Sequence, residues 1–471
     1  MLLLCGFVLA IITMKDENRL KKYRGRFKMS KIVLIGANHA GIAASNTILD
    51  NYPENELVIF DRNTNLSYLG CGTALWVGRQ IETPDQLFYT SKDAFVEKKA
   101  KVHMETTITK VDFSDKKVYA VDMANNQICE SYDKLILATG SVPIKPAIPG
   151  IELENVQFVK LFQDGQAADL ALNDPAIENV AVIGAGYIGV EMAEAAKRRG
   201  KNVRLFDIDT TSLAGYYDPW FTEDMDKNLM DNGIELEFGQ KVLELKGTDK
   251  VQEVVTDKGS YAADLVLLAI GFNPNTELGK DALKLFSNGA YEVNLKQETS
   301  LPDVYAVGDC ATIYSNALEA TTYIALATNA VRSGIVAGHN VCGTPLESIG
   351  VQGSNGISIF GYNMVSTGLN LKAAKQAGFD VAYTEFEDLQ KPAFIKKNNE
   401  VKIRIVYDKT TRRILGAQLA SKEDISMGIH MFSLAIEEKV TIDKLKLLDI
   451  FFLPHFNQPY NYITMAALSA K

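Results

Sequence analysis

The sequence predicts an α/β protein in which two strand–turn–helix units precede a C-terminal region of different character. The segments KIVLIGANHAGIAASNTIL (31–49) and NVAVIGAGYIGVEMAEAAKRRG (179–200) each run from a β-branched stretch through a glycine-rich turn into a helical pattern. Each unit is followed by a second strand that ends in an acid, which is Asp61 after ELVIF and Asp207 after NVRLF. Two such units, about 150 residues apart, indicate two Rossmann-like dinucleotide-binding domains that arose by duplication.

The C-terminal region, from residue 346 onward, has the pattern of an α+β module. The strand-like segments VKIRIVYD and RILGAQLAS flank the turn KTTRR, and a helix is predicted over 423–438. Strands followed by a helix in this order favour a separate domain rather than a third dinucleotide unit.

The domain boundaries follow from these changes in pattern. The first crossover is expected at 131–150, where a buried-looking strand leads into a glycine turn and three prolines. Later strands are predicted within 263–276 and 299–313, before an alanine-rich helix over 324–341. The predicted divisions are an N-terminal extension (1–28), the first dinucleotide domain in two parts (29–148 and 273–345), the second dinucleotide domain (149–272) and the C-terminal domain (346–471).

Composition excludes several classes of function. The 471 residues are 47 % hydrophobic and 23 % charged, which is ordinary for a globular protein. A net charge of -9 argues against a nucleic-acid partner, because phosphate-binding faces need clustered Lys and Arg. The five cysteines are odd in number and scattered, which fits a reducing cytoplasm better than a disulfide framework. No metal site is predicted.

The N-terminus begins with the apolar run MLLLCGFVLAII, followed by the basic stretch KDENRLKKYRGRFK. A spanning helix needs ~20 apolar residues, and a secretory signal places its charge before the apolar run. We therefore expect 1–28 to be an upstream extension outside the fold, with Met29 as a natural domain start, and we expect no firm membrane association. A weak membrane-surface anchor with a basic flank stays open.

The second glycine turn is complete, with Gly184, Gly186 and Gly189 in the pattern G-x-G-x-x-G. The first glycine makes the tight turn, the second admits a pyrophosphate and the third lets the helix pack closely on the strand. Asp207 would accept hydrogen bonds from a ribose 2′-hydroxyl and repel a 2′-phosphate, so NADH is favoured over NADPH. The alternative interpretation is a buried helix–sheet turn with a solvated aspartate.

The first glycine turn is degenerate, since Asn38 stands between Gly36 and Gly41 where a middle glycine belongs. Taken alone, this turn is a weaker signal than the second one. Asp61, at the end of the next strand, repeats the arrangement expected of a ribose-binding acid and supports a second dinucleotide site.

Two further motifs are ATGS (138–141) and YAVGDC (305–310). Together with the two glycine turns they make four motifs, which follow one another along the chain in the order turn, ATGS, turn, YAVGDC. With them the chain resembles the two-dinucleotide-binding flavoproteins, and most closely the pyridine nucleotide-disulfide oxidoreductases that have one active-site cysteine. The resemblance runs from about residue 30 to 471. It implies FAD in the first unit, NADH in the second and a dimerisation domain at the C-terminus. It also implies a homodimer, with a dimer of dimers left open.

The resemblance assigns binding residues one by one. It implies FAD contacts from Gly36, Asn38, Ala40, Gly41, Asp61, Cys71, Thr139, Gly140, Ser141, Lys160, Asp309 and Ala327. It implies NAD contacts from Gly184, Gly186, Tyr187, Ile188, Gly189, Asp207 and Gly271. Within these sets Asp309 would hold the ribitol chain, and Tyr187 would cover the flavin until nicotinamide displaces it.

Cys71 is flanked by two glycines, and the next cysteine along the chain is Cys129. The position five residues on, where disulfide-cycling enzymes carry a partner, is Trp76. The resemblance identifies Cys71 as a redox cysteine that would cycle between thiolate and sulfenic acid. The following residues look helical, so we expect the thiol to lie at a helix N-terminus with a lowered pKa. An inert buried thiol is the alternative, and it is what we expect of Cys129, Cys310 and Cys342.

His39 lies inside the first glycine turn, and the resemblance makes it the acid/base beside the cysteine. It would protonate a leaving hydroxide or hold an oxygen species by hydrogen bonding. A helix-start histidine without function is the alternative. The resemblance also suggests that His455 and Phe456 line the active site of a partner subunit.

Three activities are compatible with these motifs and with the family they resemble. We expect a water-forming NADH oxidase, which would reduce O2 with two NADH through a flavin peroxide that Cys71 reduces. NADH peroxidase is the second choice, since the arginine typical of that branch is replaced by Val331, with Arg332 next to it. A coenzyme A-disulfide reductase is disfavoured because the asparagine-containing approach to the cysteine is missing. A reductase of a small electron-carrier protein, or a flavin redox sensor, is the alternative of a different class.

Overall fold

The computed structural model describes residues 29–471, so the predicted extension 1–28 lies outside the described residues. The first strands are β1 (Lys31–Ile35), β2 (Glu56–Phe60), β3 (Lys101–His103), β4 (Thr106–Asp112), β5 (Lys117–Asp122), β6 (Gln127–Ser131), β7 (Lys134–Leu137) and β8 (Ser141–Pro143). The middle strands are β9 (Val156–Phe158), β10 (Asn179–Ile183), β11 (Asn202–Asp207), β12 (Ile234–Phe238), β13 (Val242–Gly247), β14 (Val251–Thr256), β15 (Ser260–Ala262), β16 (Leu265–Leu268) and β17 (Phe272–Pro274). The last strands are β18 (Val304–Ala306), β19 (Ile313–Ser315), β20 (Ala320–Thr322), β21 (Asn355–Ile359), β22 (Tyr362–Gly368), β23 (Val381–Leu389), β24 (Glu400–Asp408) and β25 (Ile414–Ser421).

The helices connect and cover these strands. They are α1 (His39–Asn51), α2 (Thr73–Val77), α3 (Lys92–Glu97), α4 (Phe162–Asn173), α5 (Tyr187–Arg198), α6 (Pro219–Asp231), α7 (Ala327–Val341), α8 (Leu371–Gln376), α9 (Ser426–Glu437), α10 (Ile442–Leu445) and α11 (Tyr462–Leu468). Among residues 29–471, no helix combines the length and the apolar character needed to cross a membrane.

The strands of the described chain form three five-stranded sheets and four small antiparallel sheets of two or three strands. The first sheet has the order β18-β7-β1-β2-β3 and the second has the order β12-β11-β10-β16-β9, and the neighbouring strands within both are parallel. The third, β21-β22-β25-β24-β23, is antiparallel and packs against α9 and α11. The predicted α/β class, with two Rossmann-like units and a C-terminal α+β domain, is confirmed.

The central strands are hydrophobic because both faces of each parallel sheet are covered. In β1, Ile32, Val33 and Leu34 are fully buried. Strand β18 joins the first sheet although it follows the whole second sheet along the chain. The domain boundaries within the chain stay predictions.

Helices α1 and α7 approach each other unusually closely beside the first sheet. A Cβ added at Gly334 would lie 2.2 Å from the carbonyl oxygen of Ala40, and one at Gly338 would lie 2.7 Å from Cβ of Thr47. Only glycine permits this separation, because any side chain would displace the facing backbone. The contact brings the start of α7, at Ala327, to the same end of the first sheet as the start of α1.

Candidate active site

In the second glycine turn, each of the three glycines is required for a different structural reason. Gly184 has φ +102°, and an added Cβ would lie 2.4 Å from the carbonyl oxygen of Ala269. A Cβ at Gly189 would lie 1.7 Å from the carbonyl oxygen of Gly184, so this glycine permits the helix to pack on the turn. At Gly186 the nearest heavy atom is 4.0 Å away, in the ring of Tyr216. The backbone of the middle glycine is therefore open to a ligand, as a pyrophosphate site requires.

The first glycine turn repeats the two structural roles. Gly36 has φ +103° and an added Cβ would lie 2.2 Å from the carbonyl oxygen of Ala138, while one at Gly41 would lie 1.9 Å from the carbonyl oxygen of Gly36. Asn38 is the N-cap of α1, and its side chain makes no capping hydrogen bond. Gly140 has φ +68° and nothing within 4 Å of an added Cβ. Gly140 is thus the open backbone position beside this turn, which suits the predicted approach of the ADP half of FAD.

Each of the two acids predicted to bind a ribose accepts hydrogen bonds from the backbone in or near its own glycine turn. Asp61 accepts hydrogen bonds from the amide of Ala37 at 2.6 Å and from that of Asn63 at 2.8 Å. Asp207 accepts from the amide of Ala185 at 2.5 Å and from that of Asp209 at 2.8 Å. Both carboxylates are thereby oriented before a dinucleotide arrives.

Three residues predicted to contact FAD meet although they come from distant segments. The Nζ atom of Lys160 donates to Oγ of Ser141 at 2.7 Å, and that hydroxyl donates to Oδ2 of Asp309 at 2.9 Å. Lys160 and Asp309 form an ion pair at 3.5 Å. A cation and hydrogen-bonding groups in one small cluster suit the polar edge of a flavin and its ribitol hydroxyls.

The other predicted contacts lie around the two turns. The Thr139 hydroxyl donates to the carbonyl of Asn275 at 2.6 Å, and Gly271 has φ +101°. Ala40 lies in the first turn of α1, and Ile188 is the second residue of α5. The hydroxyl of Tyr187 is 2.8 Å from that of Tyr217.

Cys71 lies in a 3₁₀ turn, Gly70–Gly72, that leads directly into α2. The helical prediction for the following residues is confirmed. Trp76 is buried and stacks on Phe162 with ring centroids 5.6 Å apart, so this position belongs to the core. Cys71 itself is exposed.

The prediction that the start of a helix lowers the pKa of Cys71 is wrong. Protein atoms around the sulfur desolvate it although the residue is partly open to solvent, and together with the carboxylate of Glu191 they raise the pKa of the Cys71 thiol. Helix α2 has five residues, too few for a strong dipole at its N-terminus.

The other cysteines differ from one another. Cys310 and Cys342 are buried as expected, and burial raises the pKa of both thiols. The expectation of a buried Cys129 is wrong, because it lies exposed on β6 in a small antiparallel sheet with one open face.

His39 is the first residue of α1 and belongs to the same cluster as Lys160 and Asp309. Burial lowers the pKa of His39, with opposing contributions from Asp309, which raises it, and Lys160, which lowers it. The ring is therefore neutral at neutral pH. Its Nδ1 atom lies 3.1 Å from the hydroxyl of Tyr89.

Two residues near Cys71 were missed by sequence reasoning. Tyr89 contacts His39, and its pKa is raised to about 12 by burial and by the charge of Cys71. Glu191, two residues after the last motif glycine, lines a cavity of about 370 Å³ together with Cys71. Its place just beyond the glycine motif is a signal that could have identified it, whereas Tyr89 lies in an irregular segment without one.

Within residues 29–471, several residues singled out in the sequence have no observed contact with the cluster of His39, Lys160 and Asp309. Phe456 is 57 % exposed on the C-terminal domain, in the same irregular segment as His455. Their role toward a partner subunit stays a prediction. Arg332 donates to Oδ1 of Asn329 at 2.6 Å within α7, and Val331 is partly exposed.

Comparison with known proteins identifies two family models. Residues 30–334 match the pyridine nucleotide-disulphide oxidoreductases, and residues 356–461 match the dimerisation domain of that family. An NADH oxidase of Lactococcus lactis is 60 % identical over 445 residues, which cover 94 % of this chain and 100 % of the relative. An NADH oxidase of Streptococcus pyogenes is 59 % identical, with the same coverage.

Solved structures agree with these relatives. A water-forming NADH oxidase from Lactobacillus brevis, bound to NADH, has a TM-score of 0.91 and 37 % identity, covering 93 % of this chain and 98 % of that one. A reduced CoADR-RHD protein of Bacillus anthracis has the same TM-score with 25 % identity, covering 94 % of this chain and 80 % of that one. The same backbone is thus shared by proteins with different names, so the activity of this chain has to be inferred from its site residues as well.

Proposed function

Because the chain belongs to the pyridine nucleotide-disulphide oxidoreductase family, we propose that it is an FAD-dependent NADH oxidase that reduces O2 to water with two NADH. The similarity to NADH oxidases over nearly the whole chain supports this activity. The observation that carries the water-forming chemistry is that Cys71 forms no disulfide within residues 29–471 and lies near Tyr89 and Glu191, with His39 hydrogen-bonded to Tyr89.

The chain's residues would bind both dinucleotides. The second turn, with Gly186 open and Asp207 oriented, would hold NADH, and the first turn with Asp61 would hold FAD. When bound, FAD supplies the redox chemistry that takes electrons from NADH and reduces O2. Lys160 and Asp309 would orient its polar edge.

Cys71 would complete the reduction beyond peroxide. Its thiolate attacks one oxygen of the peroxide, so that an S–O bond forms, the O–O bond breaks and hydroxide leaves. The sulfur is oxidised by two electrons to sulfenic acid, and the second NADH supplies the two electrons that restore the thiolate. His39, neutral and oriented, would hold the peroxide by hydrogen bonding.

Charge in the Cys71 cavity supports this choice over coenzyme A-disulfide reduction. Glu191, Glu194 and Asp424 all line that cavity, and none of its lining residues is a Lys or Arg. The cavity therefore offers no cationic side chain to bind the phosphates of coenzyme A, whereas O2 and H2O2 are uncharged and need none. NADH peroxidase, which uses the Cys71 half of the cycle alone, is the second candidate.

Assembly and location follow from the same family. The matched dimerisation domain supports a homodimer, and Phe451, Phe452 and Tyr460 are exposed large side chains in that region that a second subunit could cover. A dimer of dimers and a cytoplasmic location are further proposals. The four cysteines of the described residues are all free thiols, as a reducing compartment requires.

The decisive experiment counts NADH consumed per O2 by the purified, FAD-loaded protein while H2O2 is assayed. A ratio of two without peroxide is expected. A ratio of one with equimolar H2O2, or turnover that requires added H2O2, would contradict the water-forming oxidase and favour an incomplete oxidase or the peroxidase, respectively.

A further inference from the structure

Helix packing brings the Cys71 turn next to α5. A Cβ added at Gly78, directly after α2, would lie 3.1 Å from Cα of Ala195, so the two helices are in very close contact. Glu191 lies one turn earlier on α5 and shares the cavity of about 370 Å³ with Cys71. The charge of Glu191 also contributes to the raised pKa of the Cys71 thiol.

The surroundings of Glu191 leave its carboxyl group without a neutralising partner. The cavity that Glu191 lines also includes Ala74 and Leu75 of α2 and, from the C-terminal domain, Ser358, Asn363 and Asp424, of which only Asp424 is charged. On its own helix, Glu194 accepts hydrogen bonds from Arg198 and from the amide of Phe360, which occupy that carboxylate. Within residues 29–471, no hydrogen bond or ion pair engages the Glu191 side chain.

Burial, with a smaller contribution from Glu194, raises the pKa of Glu191 to about 7. A proton is therefore available on this group near neutral pH. By contrast, burial lowers the pKa of His39, so that its ring has no extra proton to give in the same range. Peroxide cleavage at Cys71 releases hydroxide, which must be protonated to leave as water.

We propose that Glu191 is a catalytic residue of the Cys71 half-reaction and supplies the proton taken up by the leaving hydroxide. This inference rests on the proposed function of Cys71. The thiolate and H2O2 give Cys71 sulfenic acid and OH⁻, and the Glu191 carboxyl gives its proton to OH⁻, leaving water and a carboxylate. Solvent restores that proton before the next cycle. His39 then acts as a hydrogen-bond donor rather than as the acid.

The test follows Cys71 oxidation directly. The Cys71 thiol of the FAD-loaded protein is regenerated with dithiothreitol, which is then removed, so that the flavin stays oxidised and NADH plays no part. The protein is then mixed with H2O2 between pH 5.5 and 9.5. Sulfenic acid at Cys71 is trapped with dimedone and quantified by mass spectrometry. The reactive wild-type form shares one proton between Cys71 and Glu191, so its rate is expected to pass through a maximum with pH.

Glu191→Gln is expected to slow the oxidation roughly 100-fold at neutral pH and to convert the maximum into a single rise to a plateau, because only the thiol still titrates. Glu191→Asp should keep the maximum. The matched control is Asp424→Asn, which changes a carboxylate of the same cavity whose pKa is lowered by hydrogen bonds to Ser426. It should keep the maximum as well.

A Glu191→Gln variant with the wild-type rate and maximum would overturn the role of Glu191 and leave the function of Cys71 intact. Absence of trapped sulfenic acid in the wild type would instead refute the proposed function and, with it, this inference.

Discussion

The hydroxyl of Tyr89 lies 3.1 Å from Nδ1 of His39, and the two rings are parallel with centroids 6.0 Å apart. The tyrosine is also close enough to Cys71 for the thiolate charge to raise its pKa, together with burial, to about 12. It therefore stays protonated and can donate to Nδ1, which directs the N–H of the imidazole at Nε2 to the opposite side of the ring.

Tyr89→Phe is expected to leave the fold unchanged and to increase the fraction of O2 released as H2O2 severalfold, because His39 would lose its fixed orientation. H2O2 release per O2 consumed is the measurement. Tyr119→Phe, in a separate antiparallel sheet, removes a hydroxyl without affecting the site. Equal peroxide release by both variants would show that Tyr89 does not position His39.

Cys71→Ser is expected to remove the second half of the reaction and keep the first. NADH consumed per O2 should fall from two to one, with one H2O2 released, because serine cannot form a sulfenic acid. Oxygen-electrode and peroxide assays on the same sample check this. Cys129→Ser is the matched control, since that thiol is also exposed. Continued formation of water alone by Cys71→Ser would refute the cysteine mechanism.

Asp207→Asn should relax the preference for NADH. The amide can still accept the hydrogen bond from Ala185, but it no longer repels a 2′-phosphate. The ratio of kcat/KM for NADPH to that for NADH is expected to rise about tenfold, equivalent to about 1.4 kcal/mol. Asp231→Asn, at the exposed end of α6, serves as the control. An unchanged ratio would argue against a ribose contact at Asp207.

The buried ion pair between Asp218 and Arg404 joins the second dinucleotide domain to the C-terminal domain. Their side chains are 3 % and 8 % exposed, and the charged atoms lie 2.8 Å apart. Asp218→Asn leaves the guanidinium undercompensated, so we expect a loss of about 3 kcal/mol in the free energy of unfolding and a clear fall in Tm. Glu292→Gln, in an exposed pair with Lys284, should cost less than about 1 kcal/mol. Similar losses in both variants would contradict the structural role of the buried pair.

Glu191 also makes stability depend on pH. Its pKa is about 7 in the folded chain against an ordinary value of 4.5, so the folded state retains a proton that the unfolded chain has lost between these values. This contribution is complete below pH 4.5 and is lost as pH rises through 7. Relative to wild type, Glu191→Gln should therefore gain stability between pH 5 and 8, on the order of 3 kcal/mol. Denaturant unfolding at the two pH values measures this, and Asp424→Asn should show no such gain.

Much of the fold was predictable because its signals are local. The strand–glycine turn–helix units around Gly36 and Gly184 depend on φ values and close backbone contacts that only glycine allows, so the motif specifies the turn. Asp61 and Asp207 follow from the position that ends the next strand. The predicted helices at 324–341 and 423–438 correspond to α7 and α9, with boundaries shifted by a few residues at most.

The sequence by itself determined two dinucleotide-binding turns, their acids and one cysteine without a nearby cysteine, since each is encoded by neighbours along the chain. Only the tertiary structure decided the environment of that cysteine. Tyr89 and Glu191 approach Cys71 from other segments, and burial together with the charge of Glu191 raises the Cys71 pKa, where a helix start alone predicted a lower value. Desolvation and charge coupling act through space, so no local pattern in the sequence reports them.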